Sequence, residues 1–83
     1  MQESDIPAIM EIERSSFTTP WSEISFLNEI YKKYGISKVA VFEGKLIGYI
    51  CVNYVLHESH ILNLAVDQDF RKRGVGTILM NEI

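Results

Sequence analysis

Arg71-Lys72-Arg73-Gly74-Val75-Gly76 sets three adjacent cations against two glycines, just before an apolar pattern of helical spacing through Val75, Ile78, Leu79 and Ile83. Glycine lets backbone N–H groups turn toward an anion, a helix start adds the positive end of its dipole, and the cations supply charge. The expected chemistry is capture of a phosphate group. Three cations alone would read as a solvated surface turn; the glycines and the strand-like run before them favour an anion site. Gly-x-x-x-x-Gly-Lys-Ser/Thr and Gly-x-Gly-x-x-Gly are both missing from the sequence, so nucleotide hydrolysis and hydride transfer have no support. His57 and His60 could suggest a metal pair, but no further ligand follows at useful spacing, and no metal is expected. Cys51 lies in a strand-like run with no adjacent base, which fits a small packed hydrophobe better than a nucleophile.

The elements that must position these residues belong to a short chain. With 83 residues, 47% hydrophobic and 23% charged, it reads as one folded domain with a thin core, since a chain of this size buries only ~60% of its unfolded surface. The net charge of −3 argues against general nucleic-acid binding. Residues 1–66 carry five basic and eight acidic side chains, so the cations at 71–73 mark a local site rather than a basic face. No apolar run approaches the ~20 residues of a membrane span, and Met1-Gln2-Glu3-Ser4-Asp5 lacks the basic, apolar character of a signal peptide. A cytoplasmic protein without membrane contact is expected, and a lone cysteine fits a reducing compartment.

Asp5 is the expected cap of a first helix, with Pro7 in its first turn and Ile6, Ile9, Met10 and Ile12 as its apolar stripe, running to about Ser15. Ser22 should cap a second helix through Phe26, Leu27, Ile30 and Tyr31, closed by a left-handed Gly35. From Ser37 the period changes to that of strands. Val39 to Phe42, Leu46 to about Leu56, and His60 to Val66 read as three strands, separated by a tight Glu43-Gly44-Lys45 turn and a His57-Glu58-Ser59 break. Gly48 within the second strand points to a bulge or a close backbone approach. The last helix starts near Val75 and stops while still amphipathic, so the 83 residues read as the N-terminal part of a larger domain.

Leu62-Asn63-Leu64-Ala65-Val66-Asp67, followed by Gln68-Asp69-Phe70, Arg71-Lys72-Arg73-Gly74-Val75-Gly76 and Thr77-Ile78-Leu79-Met80, resembles the acetyl-CoA motif of the GNAT acetyltransferases. Arg/Gln-x-x-Gly-x-Gly/Ala is that family's signature, and the resemblance extends over nearly the whole chain. Pro20-Trp21-Ser22-Glu23 and Ile61 to Val66 are most similar to the RimI branch, which acetylates the N-terminal alanine of a small-subunit ribosomal protein. The implied fold is α/β (α+β), a GNAT-type mixed sheet of which these residues form two helices, three antiparallel strands and the start of the coenzyme helix.

The resemblance also implies a site. Arg71, Lys72, Arg73, Gly74, Val75 and Gly76 would hold the pyrophosphate of acetyl-CoA, and Leu64, Ala65 and Val66 would line its pantetheine arm through main-chain groups. The Val66 N–H is the candidate donor to the oxyanion formed when an amine attacks the thioester. The branch takes its base from a Glu on the strand after the coenzyme helix and its acid from a later Tyr, positions beyond these 83 residues. Some relatives place a water-relaying base where His60 stands, and an imidazole of pKa about 6.5 suits the task; a strand-end histidine paired to nearby backbone is the competing reading. Phe17 and Trp21 either wall the acceptor groove or plug the core between two helices. A protein N-terminus, such as a ribosomal protein's, is the implied acceptor; a small amine and a noncatalytic acyl-CoA-binding module are the alternatives. An exposed sheet edge would favour self-association.

Overall fold

The computed structural model describes residues 1–82. A 3₁₀ turn over Glu3–Asp5 leads into α1, Ile6–Ser16, and α2 covers Glu23–Tyr31. Three strands follow, β1 (Gly35–Phe42), β2 (Lys45–Val55) and β3 (Glu58–Val66), and a second 3₁₀ turn at Gln68–Phe70 precedes α3, Val75–Asn81. The expected α+β class and element order hold. Ile83, the last residue of the expected apolar stripe, lies outside the described residues.

Local sequence accounts for most of these boundaries. Ser22 starts α2 by accepting a hydrogen bond from the Ser25 N–H at 3.2 Å, as an N-cap side chain does. Asp5 does not cap α1: its carboxylate accepts instead from the Gln2 N–H at 2.8 Å and closes the preceding 3₁₀ turn. Gly35 is not a left-handed helix stop either. α2 ends when Lys32 becomes extended, and Gly35 is already the first residue of β1. Glu43 and Gly44, with φ of 50° and 79°, form the two-residue turn between β1 and β2, a geometry that matches the right-handed twist of a hairpin. Leu56 and His57 turn the next hairpin with φ of 50° and 67°. The break therefore starts one residue earlier than expected and is shorter, and Glu58 and Ser59 are strand.

The sheet order is β1-β2-β3, antiparallel throughout. Two residues interrupt its register. Ile47 is extra opposite Ala40 and Val41, and Leu62 is extra opposite Cys51 and Val52; such bulges bend a strand and raise its twist. Gly48, next to the first, is hemmed in, because a Cβ there would meet the Ala65 carbonyl oxygen at 3.2 Å and Leu79 Cδ1 at 3.3 Å.

Helices cover both faces. On one, Ile9, Met10 and Ile12 of α1 and Phe26 of α2 pack over Tyr49, Cys51 and Ala65. On the other, Val75 and Leu79 of α3 pack over Ile47, Ile50 and Val52. Ile78, expected on the buried stripe of the last helix, is exposed, since α3 has only the sheet to lean on. Among the described residues, β3 has no strand along its outer edge.

Candidate functional site

β3 delivers the chain to the glycine turn, and its hydrogen-bond register decides which main-chain groups stay available. The Asp67 N–H donates to the Ile47 carbonyl at 2.7 Å, and Val66 lies opposite Gly48. Antiparallel pairs alternate between bonded and non-bonded, so Ala65 turns its main-chain groups toward β2 while Leu64 and Val66 turn theirs to the open edge. Of the three residues expected to line a coenzyme arm, two therefore present main-chain polarity outward. The Val66 carbonyl is already engaged, accepting from Arg71 Nε at 3.0 Å; its N–H lies on the same open side.

The glycine turn opens beside that edge. Gly74 has φ of 79° and Lys72 φ of 66°, the left-handed region that a glycine occupies freely and a lysine does not. Successive residues of alternating hand turn their N–H groups into a concavity that suits anions. A recess of about 260 Å³ lies here, bounded by Val66, Phe70, Arg71, Lys72 and residues 74–77. The three cations differ in their engagements. Arg71 bridges the Val66 carbonyl and, at 2.9 Å, Ser16 Oγ at the end of α1. Arg73 lies 5.3 Å from the centre of the Phe70 ring. Among the described residues, neither Lys72 nor Arg73 has a carboxylate partner, but only Lys72 borders the recess; Arg73, expected there from the sequence, lines a separate apolar recess with Phe42, Phe70 and Ile78.

His60 is placed elsewhere. It lies near the start of β3, exposed, with Nε2 3.4 Å from a Glu58 carboxylate oxygen. Five residues of strand lie between it and Val66, a rise of ~20 Å over six steps, so the fold does not bring the two together. Phe17 and Trp21 also part company. Phe17 is exposed, whereas Trp21 packs on the core with its ring 5.1 Å from that of Phe26.

Sequence reasoning missed a buried carboxylate behind β3. Glu13 is 1% exposed, in the last turns of α1. One carboxylate oxygen accepts from the Trp21 N–H at 2.8 Å; the other accepts from Asn63 Nδ2 at 2.8 Å and from the Tyr49 hydroxyl. Three donors thus converge on a group that can only accept. Burial, with the Glu13 contact second, pushes the Tyr49 hydroxyl well above the usual phenol range. The signal was present in the sequence: Glu13 follows Ile9 by four residues and so falls on the apolar stripe of its helix.

An open-edged strand running into a glycine turn and a helix, with a pair of helices on the opposite face of the sheet, is a layout that acetyltransferases of known structure share. The acetyltransferase (GNAT) family profile matches residues 6–83, and the chain belongs to that family. The [ribosomal protein bS18]-alanine N-acetyltransferase of Salmonella typhimurium is 31% identical over 80 residues, which are 96% of this chain and 53% of that protein. The crystal structure of the ribosomal-protein-S18-alanine N-acetyltransferase from Escherichia coli superposes with a TM-score of 0.87 at 28% identity, covering 99% of this chain and 52% of that one. PaiA N-acetyltransferase from Thermoplasma acidophilum, solved in complex with coenzyme A, shares the fold at a TM-score of 0.86 and 17% identity, over 99% of this chain and 65% of that one. The chain spans about half the length of the curated relatives it matches.

Proposed function

We propose that the protein transfers an acetyl group from acetyl-CoA to the N-terminal amine of a protein, a ribosomal protein being the favoured acceptor. The observation that carries this reading is the continuity of the open Leu64 and Val66 edge with the recess at residues 71–77. A pyrophosphate in the recess would meet backbone donors and the charge of Lys72. The pantetheine amides would then run along β3 as an added strand would. No metal is needed, because the donors already present neutralise the anion.

In the reaction, the acceptor amine attacks the thioester carbonyl carbon, the new C–N bond forms, and the C–S bond breaks to release the coenzyme thiolate. The Val66 N–H, on the open side, is the donor for the transient oxyanion. The amine's proton passes to a base. Val66 and His60 cannot both serve one thioester at their separation along β3, and we retain Val66. The Phe17 to Trp21 loop, behind the same strand, is the proposed wall for the acceptor peptide. The activity of the similar alanine N-acetyltransferases, the Pro20-Trp21-Ser22-Glu23 junction and the family membership support the choice of acceptor. A cytoplasmic setting suits both the reduced, buried Cys51 and a ribosomal partner.

Incubation with acetyl-CoA and a peptide beginning with alanine, followed by mass spectrometry of the peptide, tests this directly. Acetylation of the terminal amine is the expected result. Binding of acetyl-CoA without turnover would favour a noncatalytic acyl-CoA module, and turnover only on small amines would replace the acceptor. Gly74→Val should weaken acetyl-CoA binding at least tenfold by calorimetry, since a β-branched residue resists φ of 79° and its side chain would enter the recess.

A further inference from the structure

We propose that Glu13 is a positioning residue that sets the distance between the acceptor loop and the stretch of β3 that faces the thioester; this rests on the acetyl-transfer reading above. The carboxylate is held at both ends of that gap. Through the Trp21 N–H it fixes the α1–α2 loop, and through Asn63 Nδ2 it fixes β3 one residue past the Leu62 bulge. The Tyr49 hydroxyl, from the central strand, holds the same oxygen as Asn63 and keeps the carboxylate from swinging.

Its chemistry distinguishes it from ordinary core filling. A buried acid on an apolar stripe costs desolvation, and an aliphatic side chain would pack the same space without that cost. What an aliphatic side chain cannot do is grip a loop by its main chain and a strand by its side chain at once. The grip is on backbone at Trp21, so it constrains the path of the loop whatever side chains the loop carries. Arg71 adds a second strap of the same sense, joining Ser16 Oγ, next to that loop, to the Val66 carbonyl. Together the two contacts tie the acceptor side of β3 to its coenzyme side.

Glu13→Leu removes every acceptor at similar size, and Asn63→Ala releases β3 alone. Amide hydrogen exchange of the protein reads the first link without any need for activity. In Glu13→Leu the Trp21 amide should exchange about ten- to hundredfold faster, the factor expected for losing a buried hydrogen-bond partner, while the amides pairing β1 with β2 keep their protection. In steady-state assays with acetyl-CoA and an alanine-starting peptide, both variants should raise the peptide KM about tenfold and leave the dissociation constant for acetyl-CoA within twofold. An unchanged Trp21 amide overturns the proposal, as does an equal loss of peptide and coenzyme affinity in the variants. A wild-type protein that acetylates no peptide would instead overturn the acetyl-transfer reading and with it the role claimed for Glu13, even though the exchange result would still show the grip itself.

Discussion

The two faces of the sheet are built on different principles. Beneath α1 and α2 the core mixes aliphatic and aromatic side chains and contains a carboxylate, with Phe26 and Tyr49 fully buried beside Glu13. Beneath α3 it is aliphatic, made from Ile47, Ile50, Val52, Val75 and Leu79. Apolar contacts are non-directional and tolerate small shifts, whereas a network of directed hydrogen bonds admits one arrangement. The face that carries the α1–α2 loop is therefore the specified one. The face behind the glycine turn relies on shape and on main-chain geometry at Gly48 and Gly74.

Substitutions should break this contrast in a graded way. Glu13→Ala strands three buried donors and should cost about 3–5 kcal/mol in urea unfolding. Leu79→Ala, on the aliphatic face, should cost near the lower end of the ~2–5 kcal/mol typical of such truncations, because a short helix can settle into the space. A Leu79 variant as damaging as the Glu13 one would erase the distinction. Gly48→Ala should cost about 1–3 kcal/mol, since its Cβ would press on the Ala65 carbonyl and Leu79. The smallest effect is a pH dependence. Burial raises the Cys51 thiol from 9.0 to about 11. Below pH 9 the thiol is protonated folded or unfolded and its contribution is complete; between 9 and about 11 only the unfolded chain gives up the proton, so stability should fall. Tyr49 shifts in the same direction and should steepen that loss. Thermal melts across the range, with Cys51→Ala as reference, measure the share belonging to the thiol.

The same contrast explains what could be read from the residues alone. A main-chain site needs glycine, so Gly74 and Gly48 announced a turn and a close approach before any coordinates. Ser22 announced a cap for the same reason, since few side chains can do that task. Glu13 announced nothing, because counting apolar positions along α1 passes over the one polar residue among them. The Leu62 bulge was equally silent: any residue type can be the extra one in a strand. Leu56 and His57 turn a hairpin without glycine, and Gly35 is a glycine that turns nothing, so both boundaries were misplaced. Composition marks a conformation only where alternatives are sterically excluded.

Trp21 is the chain's single tryptophan, and its backbone is the part of the loop that Glu13 holds. Its ring lies 5.1 Å from Phe26, which in turn lies 5.4 Å from Tyr49. The protein thus carries its own optical gauge. Tyrosine excitation will pass to one indole whose emission colour depends on how far the loop has opened to water, so movement of the α1–α2 loop could be watched in unlabelled protein.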